Sequence, residues 1–177
     1  MFKIDEIIIH PSSGVCRIVD IRTERFSSAP EKYYVLLPIY ATAPTKIFVP
    51  VFGEKIKLRY PLSKEEVLSV IEKSASIDSQ WIENDKQRSE FFNEVLSEKD
   101  PAKIISIICE LHKKRREKAL NGKKLRSSDE RVLSEAEKYI HQEFAYILDI
   151  KPDDVAEFII SRLGLSHLAQ NKEQSKI

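Results

Sequence analysis

The densest cluster of reactive side chains lies between His112 and Arg126, where eight lysines and arginines accompany one acid, Glu117, a local balance of 8 − 1 = +7. Cations at this density bind polyanions, and on a nucleic acid they contact phosphates and release counterions without reading the sequence. A solvated helix face is the alternative explanation for such a block. Complementation of a helix C-terminus explains only one or two of these charges. The excess favours a nucleic acid as ligand. The cations are Lys113, Lys114, Arg115, Arg116, Lys118, Lys123, Lys124 and Arg126.

The single tryptophan, Trp81, stands in the polar stretch SIDSQWIENDKQR. A large ring on a helical surface can wedge beside a base where a duplex is kinked or opening. The same ring can instead anchor two helices, with its indole N–H bonded to a backbone carbonyl. Periodicity alone leaves both interpretations open and slightly favours the anchor.

The sequence contains none of the common catalytic motifs. No hydrolase, zinc-protease, P-loop or dinucleotide motif is present, and the chain contains only four glycines to wrap a phosphate. The two cysteines are far apart in sequence, which suggests neither a zinc site nor a disulfide framework. We therefore predict no catalytic residue, no metal site and no cofactor. The scattered residues set aside here are His10, His112, His141, His167, Asp153, Asp154, Cys16 and Cys109.

The elements that position these residues fall into two groups, the first being a β module over residues 1–60. Short runs rich in Val, Ile, Tyr and Phe are separated by turn sequences such as PSSG at 11–14 and SSAP at 27–30. Five such runs predict a small antiparallel barrel or a strongly bent sheet. Prolines at or near the strand ends indicate at least one edge strand. The runs are Glu6 to His10, Val15 to Ile21, Tyr33 to Leu37, Lys46 to Val51 and Lys55 to Arg59.

From Pro61 the apolar periodicity becomes helical, which predicts an all-α domain over residues 61–166. A helix is expected from about Trp81 to Ser97, and another begins after Pro152 and ends at Gly164. Residues 167–177 lack a core pattern and are expected to form a flexible tail. Helix starts are marked by Ser63 with Glu66, by Asp100 followed by Pro101, and by Ser127 with Glu130.

The composition is that of a globular chain able to bury a core without staples. No apolar run approaches the roughly 18 to 20 residues of a membrane span, and the opening MFKIDEIIIHP lacks the features of a secretory signal. We therefore expect a cytoplasmic protein. The absence of a coiled-coil repeat favours a monomer.

The order and spacing of several segments resemble the CarD/CdnL group of bacterial transcription regulators, whose N-terminal domain is shared with transcription-repair coupling factors. The resemblance covers almost the whole chain. It rests on the single tryptophan at the start of the helical domain and on five stretches: MFKIDEIIIHPSSGVCRIVDI, EKYYVLLP, KIFVPV, DPAKIISIICELHKKRREK and SSDERVLSEAEKYIHQE.

The resemblance implies an α+β fold, with an N-terminal Tudor/SH3-like β-barrel followed by an all-α helical domain. In that group the barrel pairs an edge strand with the β subunit of RNA polymerase. The helical domain contacts double-stranded promoter DNA at the upstream edge of the transcription bubble, with little sequence preference. The matching tryptophan is a wedge in the minor groove that stabilises the open complex.

Carried over by position, the resemblance implies two sets of site residues. The chain departs from the group's pattern at Ile82 to Asp85, where basic residues are common, and at Glu24 and Phe48, where some members carry arginines. The implied polymerase-binding residues are Glu24, Lys46, Ile47, Phe48 and Val49. The implied DNA-binding residues are Trp81, Lys86, Arg88, Lys113, Lys114, Arg115, Arg116, Lys123, Lys124 and Arg126.

Two other classes of function stay open. One is a protein-interaction adaptor, in which an SH3-like module captures a partner's strand and the basic patch binds an acidic protein. The other is an enzyme whose site is assembled from scattered residues, which requires a pocket of convergent polar groups.

Overall fold

The chain divides into two units, with the boundary between Leu62 and Ser63. The computed structural model describes residues 1–26, 29–43, 45–53, 56–77 and 80–165. The residues of the expected C-terminal tail, 167–177, lie outside that part of the chain.

The first unit is a four-stranded antiparallel sheet in the order β1-β2-β3-β4. Its strands are β1 (Ile7–His10), β2 (Gly14–Glu24), β3 (Glu31–Pro38) and β4 (Ile47–Pro50). Gly14 has a φ of 68°, the conformation that the PSSG turn needs and that glycine adopts without strain. The inner face of the curled sheet forms an apolar core from Ile8, Cys16, Ile18, Tyr34, Leu36 and Val49.

A bulge in β2 gives the sheet its curl and sets which residues face outward. The register between β2 and β3 shifts between Ile18 and Asp20, so one extra residue bends the strand. Beyond the shift, Ile21 packs against the inner core. Because side chains alternate along a strand, Asp20, Arg22 and Glu24 therefore point to the outer face.

The fifth predicted strand, over Lys55 to Arg59, is not a strand in the described residues. Only Arg59 pairs there, through a single bridge with Ile9 in which the Ile9 N–H donates to the Arg59 carbonyl at 2.7 Å. Residues 54 and 55 lie outside the described part of the chain. The predicted fold class is confirmed: the sheet is a curled half-barrel of four strands followed by helices.

The second unit is built from α1 (Lys64–Ser74), α2 (Asp85–Glu98), α3 (Pro101–Leu120), α4 (Ser127–Leu148) and α5 (Val155–Arg162), with a short 3-10 helix at Pro152–Asp154. Helices α3 and α4 are its centre. Their fully buried side chains include Ile104, Ile105, Leu111, Leu133, Ile140 and Phe144. The remaining helices pack around this pair, which fixes the position of the α3–α4 connection.

All three predicted helix starts are found, with α4 beginning at Ser127, but the capping box predicted from Ser127 and Glu130 does not form. Ser63 and Glu66 form the reciprocal capping box of α1, and Asp100 caps α3 through the N–H groups of the first turn. At α4 the cap position is Arg126, without a side-chain cap. Glu130 does not reach back to the helix start, because it pairs across the helices with Arg115.

A half-buried contact between α3 and α4 makes stability depend on pH. The His112 Nε2 lies 2.7 Å from the Glu137 Oε1. Burial raises the pKa of Glu137, but the His112 bond and the charges of His141 and Arg115 outweigh it and hold the pKa below its ordinary value of 4.5. A carboxyl with a lowered pKa stabilises the fold above its unfolded pKa and loses that contribution as pH falls through the folded pKa.

We expect Glu137→Gln to lower the free energy of unfolding at neutral pH by about 1 kcal/mol, because an ionised acceptor is replaced by a neutral one. The wild type should lose that advantage over the variant as pH falls below 4.5 and through the lowered pKa of Glu137. Urea unfolding of both proteins across this range measures the difference. Glu135→Gln, at an exposed position on the same helix, is the control. A constant gap between the Glu137→Gln variant and wild type at all pH values would contradict the assignment.

Candidate nucleic-acid interface

The basic residues lie at the corner between α3 and α4. Helix α3 ends in a Schellman motif, in which the Lys123 N–H donates to the Lys118 carbonyl at 2.8 Å and the Gly122 N–H to the Ala119 carbonyl at 3.0 Å. Gly122 has a φ of 66°, which this motif requires and which glycine adopts without strain. The short turn brings the cations at the end of α3 close to those before α4. We call this region, residues 113–126, the basic corner.

The cations of the basic corner differ in their availability. Lys114 donates to Glu117 at 2.8 Å, which raises the pKa of the ammonium despite its partial burial. Arg115 pairs with Glu130 on α4, and Arg116 is half-buried. In the described part of the chain, no ion pair engages Lys113, Lys118, Lys123 or Lys124. These four lysines are the ones free to meet an anion.

Trp81 is half-buried and lies outside any helix, four residues before α2 begins at Asp85. The prediction that a helix starts at about Trp81 is therefore wrong. Asn84 is the N-cap of α2, and its side-chain oxygen accepts from the N–H groups of Lys86 and Gln87, both at 3.1 Å. The tryptophan is thus carried by an irregular segment, residues 80–84, that leads into the cap.

Arg88 holds this segment in place. Its guanidinium carbon lies 4.3 Å from the centroid of the Trp81 ring, a cation–π distance. Its Nη1 donates to the carbonyls of Ile82 at 2.7 Å and Glu83 at 3.3 Å, so it grips the backbone that follows the tryptophan. The ring and its backbone are therefore fixed by one side chain.

All five N–H donors of Arg88 are used inside the protein. Its Nε and Nη2 donate to the two oxygens of Asp129 at 3.1 and 3.0 Å, and Nη2 also donates to Asp85 at 2.7 Å. Burial opposes the charge on Arg88, but its hydrogen bonds to Asp129 and Asp85 outweigh burial and raise the pKa of the guanidinium. Arg88 is only 2% exposed, so the structure places it behind Trp81 as support and not on a DNA-facing surface.

Trp81 and the basic corner line one groove of about 650 Å³. Lys114 approaches the same ring as Arg88, with its Nζ 5.4 Å from the centroid. The groove is mixed in charge, because its lining includes three carboxylates as well as five cations. The lining residues are Trp81, Glu83, Asp85, Arg88, Lys114, Glu117, Lys118, Asn121, Lys123 and Arg126.

The structure brings some of the predicted DNA-binding residues together and leaves others apart. Five of them line the groove, although Arg88 does so from a buried position: Trp81, Arg88, Lys114, Lys123 and Arg126. The others are not part of this lining: Lys86, Lys113 and Lys124 are exposed, whereas Arg115 and Arg116 are half-buried.

Sequence reasoning did not single out the acids that organise this site. Asp129 is 3% exposed and lies 41 residues from Arg88, a separation at which no local pattern reports contact. Asp85 pairs with both Arg88 and Arg126 and so connects the start of α2 to the start of α4. The spacing of Asp85 and Arg88, three apart at a helix start, was the one available signal.

The residues predicted to bind polymerase cluster at β4, the last strand of the sheet. Ile47 and Val49 direct their side chains to the inner core and their backbone groups to β3, so the outward-facing backbone groups of β4 are those of Phe48. Phe48 lies on the outer face, with its ring centroid 5.0 Å from that of Phe26. Lys46 is exposed just before the strand, and Glu24 ends β2 and accepts from Arg22 at 2.8 Å.

Two kinds of feature are absent from the residues that the structure describes. None of the helices there combines the length and apolar character needed to cross a membrane. No group of three or more His, Cys, Asp or Glu side chains in those ranges is arranged to hold a metal ion.

Comparison with known proteins identifies the first unit. Residues 2–69 match the family model of the CarD-like/TRCF RID domain, and no curated protein matches the chain. Domains of this family are non-catalytic and interact with the β subunit of RNA polymerase. The match supports a transcription-related, polymerase-binding role. The resemblance to the CarD/CdnL group is confirmed over residues 2–69, where the chain is similar to the CarD-like/TRCF RID domain.

Proposed function

We propose that this protein is a transcription regulator that binds the polymerase β subunit through its RID domain and promoter DNA through Trp81 and the basic corner. Bound at the upstream edge of the transcription bubble, it modulates the stability of the open complex. The observation that carries this proposal is the clamped Trp81, a large ring held at the edge of a groove beside free lysines.

The contact between Arg88 and Trp81 supports a wedge role for the indole ring, because it fixes the position of the ring before DNA binds. A flexible aromatic side chain loses rotamer freedom when it binds, whereas Trp81 is already ordered by Arg88. The ring also remains partly exposed, unlike the fully buried side chains of the α3–α4 core. The open-complex effect then follows from differential binding, since a ring that fits only a distorted junction favours open over closed DNA.

The free lysines of the basic corner supply the remaining DNA affinity. Lys113, Lys118, Lys123 and Lys124 contact phosphates, so binding to isolated duplex DNA is weak, sensitive to salt and almost independent of sequence. The three carboxylates of the groove lie beside the ring. These carboxylates repel DNA phosphates beside the ring, so the contacts to the DNA backbone are made by the lysines of the basic corner.

Neutralising two lysines of the basic corner tests whether these lysines make the phosphate contacts. We expect the double substitution Lys123→Gln and Lys124→Gln to weaken duplex binding and to make the plot of log affinity against log salt shallower by about 2, because each phosphate contact contributes about 0.9 to the slope. Fluorescence anisotropy with a labelled duplex across a salt series measures this.

The matched control changes Lys138 and Lys151 to glutamine, since both are exposed lysines of the helical unit outside the basic corner. Its slope should equal that of wild type. An unchanged slope in the Lys123 and Lys124 variant, or tight sequence-selective binding of wild type at high salt, would contradict the proposed DNA surface.

The deciding experiment compares the lifetime of promoter open complexes with and without the protein, using the cognate polymerase. A changed lifetime supports the proposal. Polymerase binding without any effect on lifetime would favour the adaptor, in which the basic corner binds an acidic protein.

A further inference from the structure

The first unit contains an open cavity at the place where a fifth strand would close the barrel. It lies between the end of β4 and residues 56–58, which do not form a strand. Its volume is about 710 Å³, within the range of sites that bind small molecules. We call this space the sheet cavity. Its lining includes Phe2, Tyr34, Val51, Ile56, Lys57 and Leu58.

The wall of the sheet cavity is apolar and only partly covered by the protein. Phe2, Val51, Ile56 and Leu58 pack against the core of the sheet, yet each of them is half-buried. Apolar surface that remains in contact with water supplies binding free energy to a ligand that covers it. The wall therefore favours a ligand with an apolar body.

A buried hydroxyl group, that of Tyr34, is only partly satisfied at this cavity. Tyr34 is 4% exposed, and its ring meets that of Phe2 edge to face at a centroid distance of 5.8 Å. The hydroxyl oxygen accepts from the Phe2 N–H at 3.0 Å, but no acceptor for the hydroxyl hydrogen is found in the described residues. A buried tyrosine hydroxyl normally has a partner for its hydrogen. Tyr34 therefore has one hydrogen bond to donate to a ligand.

The charge at the sheet cavity is positive. Among the lining residues that the structure describes, Lys57 is the one charged side chain, and it is exposed. A hydroxyl donor and an ammonium group in the same cavity match a carboxylate, because a carboxylate accepts hydrogen bonds through both of its oxygens. The polar groups of the cavity therefore favour an anionic group on the apolar ligand.

We propose that the sheet cavity binds a small aromatic carboxylate. The ring of this ligand covers the apolar wall, and its carboxylate accepts from the Tyr34 hydroxyl and pairs with Lys57. A neutral aromatic molecule covers the same wall but does not pair with Lys57, so the charge supplies the selectivity. Binding at this cavity does not require contacts to DNA or to polymerase.

NMR titration of the full chain with 2-naphthoate, and with the neutral 2-naphthamide as the matched probe, tests the site. We expect 2-naphthoate to shift the signals of Val51, Ile56 and Leu58. Lys57→Gln should weaken 2-naphthoate binding about threefold, the size of one exposed ion pair, and leave 2-naphthamide binding unchanged. Tyr34→Phe should weaken 2-naphthoate binding about tenfold, because a buried donor to a charged acceptor is lost.

Lys46→Gln is the control, since Lys46 is an exposed lysine at the other end of β4 from Val51. It should leave the affinity for 2-naphthoate unchanged. Equal affinity of wild type for the two probes would overturn the anionic ligand and indicate an apolar surface for a protein partner. An absence of binding, or shifts that lie outside the cavity, would overturn the site itself. If Tyr34→Phe does not fold, the comparison of the two probes on Lys57→Gln still decides.

Discussion

Replacement of Trp81 by alanine should shorten the lifetime of open complexes by about tenfold relative to wild-type protein, and it should leave the affinity for polymerase unchanged. The expected change corresponds to about 1.4 kcal/mol, within the range found for one base stacked on an aromatic side chain. The ring is held beside the groove by Arg88, so its loss removes the contact without removing the basic corner. The decay of preformed open complexes after addition of a competitor measures the lifetime.

Phe91→Ala is the matched control for this experiment. Phe91 is another large ring of the helical unit, 39% exposed, on α2 and away from the groove lining. Its loss should not affect the open complex. If Trp81→Ala and wild type gave equal lifetimes while polymerase binding persisted, Trp81 would be an anchor of the fold and the wedge would be wrong.

Replacement of Arg88 by methionine should lower the free energy of unfolding by about 3 to 5 kcal/mol, because removing one partner leaves a buried carboxylate uncompensated. Asp129 is 3% exposed and accepts both its charged bonds from Arg88. Urea unfolding monitored by circular dichroism measures the loss. Arg126→Met is the control, since Arg126 also pairs with Asp85 but is largely exposed and should cost under about 1 kcal/mol.

The double substitution Arg88→Met with Asp129→Leu separates stability from positioning. Replacing both charges by apolar groups is often neutral, so the double variant should regain most of the stability that the single variant loses. Trp81 would nevertheless lack its clamp. As the only tryptophan in the chain, it reports this directly through lower fluorescence anisotropy. Unchanged anisotropy, or an open-complex lifetime equal to that of wild type, would show that Arg88 does not position the ring.

Arg88 illustrates what the sequence cannot supply. A cation seven residues after Trp81, in a polar stretch, has the pattern of a surface contact, and the family resemblance implies a DNA-binding role for it. Its burial depends on Asp129, which arrives from α4 through the packing of two helices. Periodicity reports which face of a helix is apolar, but it does not report which charged residues meet across helices.

Two predictions at helix starts, for α2 and α4, were wrong for a different reason. Asn84 is a favoured N-cap and Asp85 a favoured first-turn residue, so the start of α2 was readable from local chemistry. Ser127 and Glu130 have the capping-box spacing, yet Glu130 instead pairs with Arg115 in the structure. Local signals thus compete with tertiary partners. The α+β fold was predictable because periods of two and of 3.6 residues each persist over a whole unit.

The two borders of the sheet are unequal, and this sets how many strands the first unit can accept. On the β1 side, Ile9 already exchanges backbone hydrogen bonds with Arg59, whereas in the described residues no strand pairs with the outer side of β4. A sheet with unpaired edge strands on both sides can add strands at either side, whereas a sheet with one unpaired edge strand can add a strand at that side only. Among the described residues, a further strand, including one from a second copy of this chain, is therefore expected to pair at β4 and not at β1. If a polymerase strand pairs along β4, as the family resemblance implies, a second copy paired there would compete with it, and activity would fall as protein concentration rises.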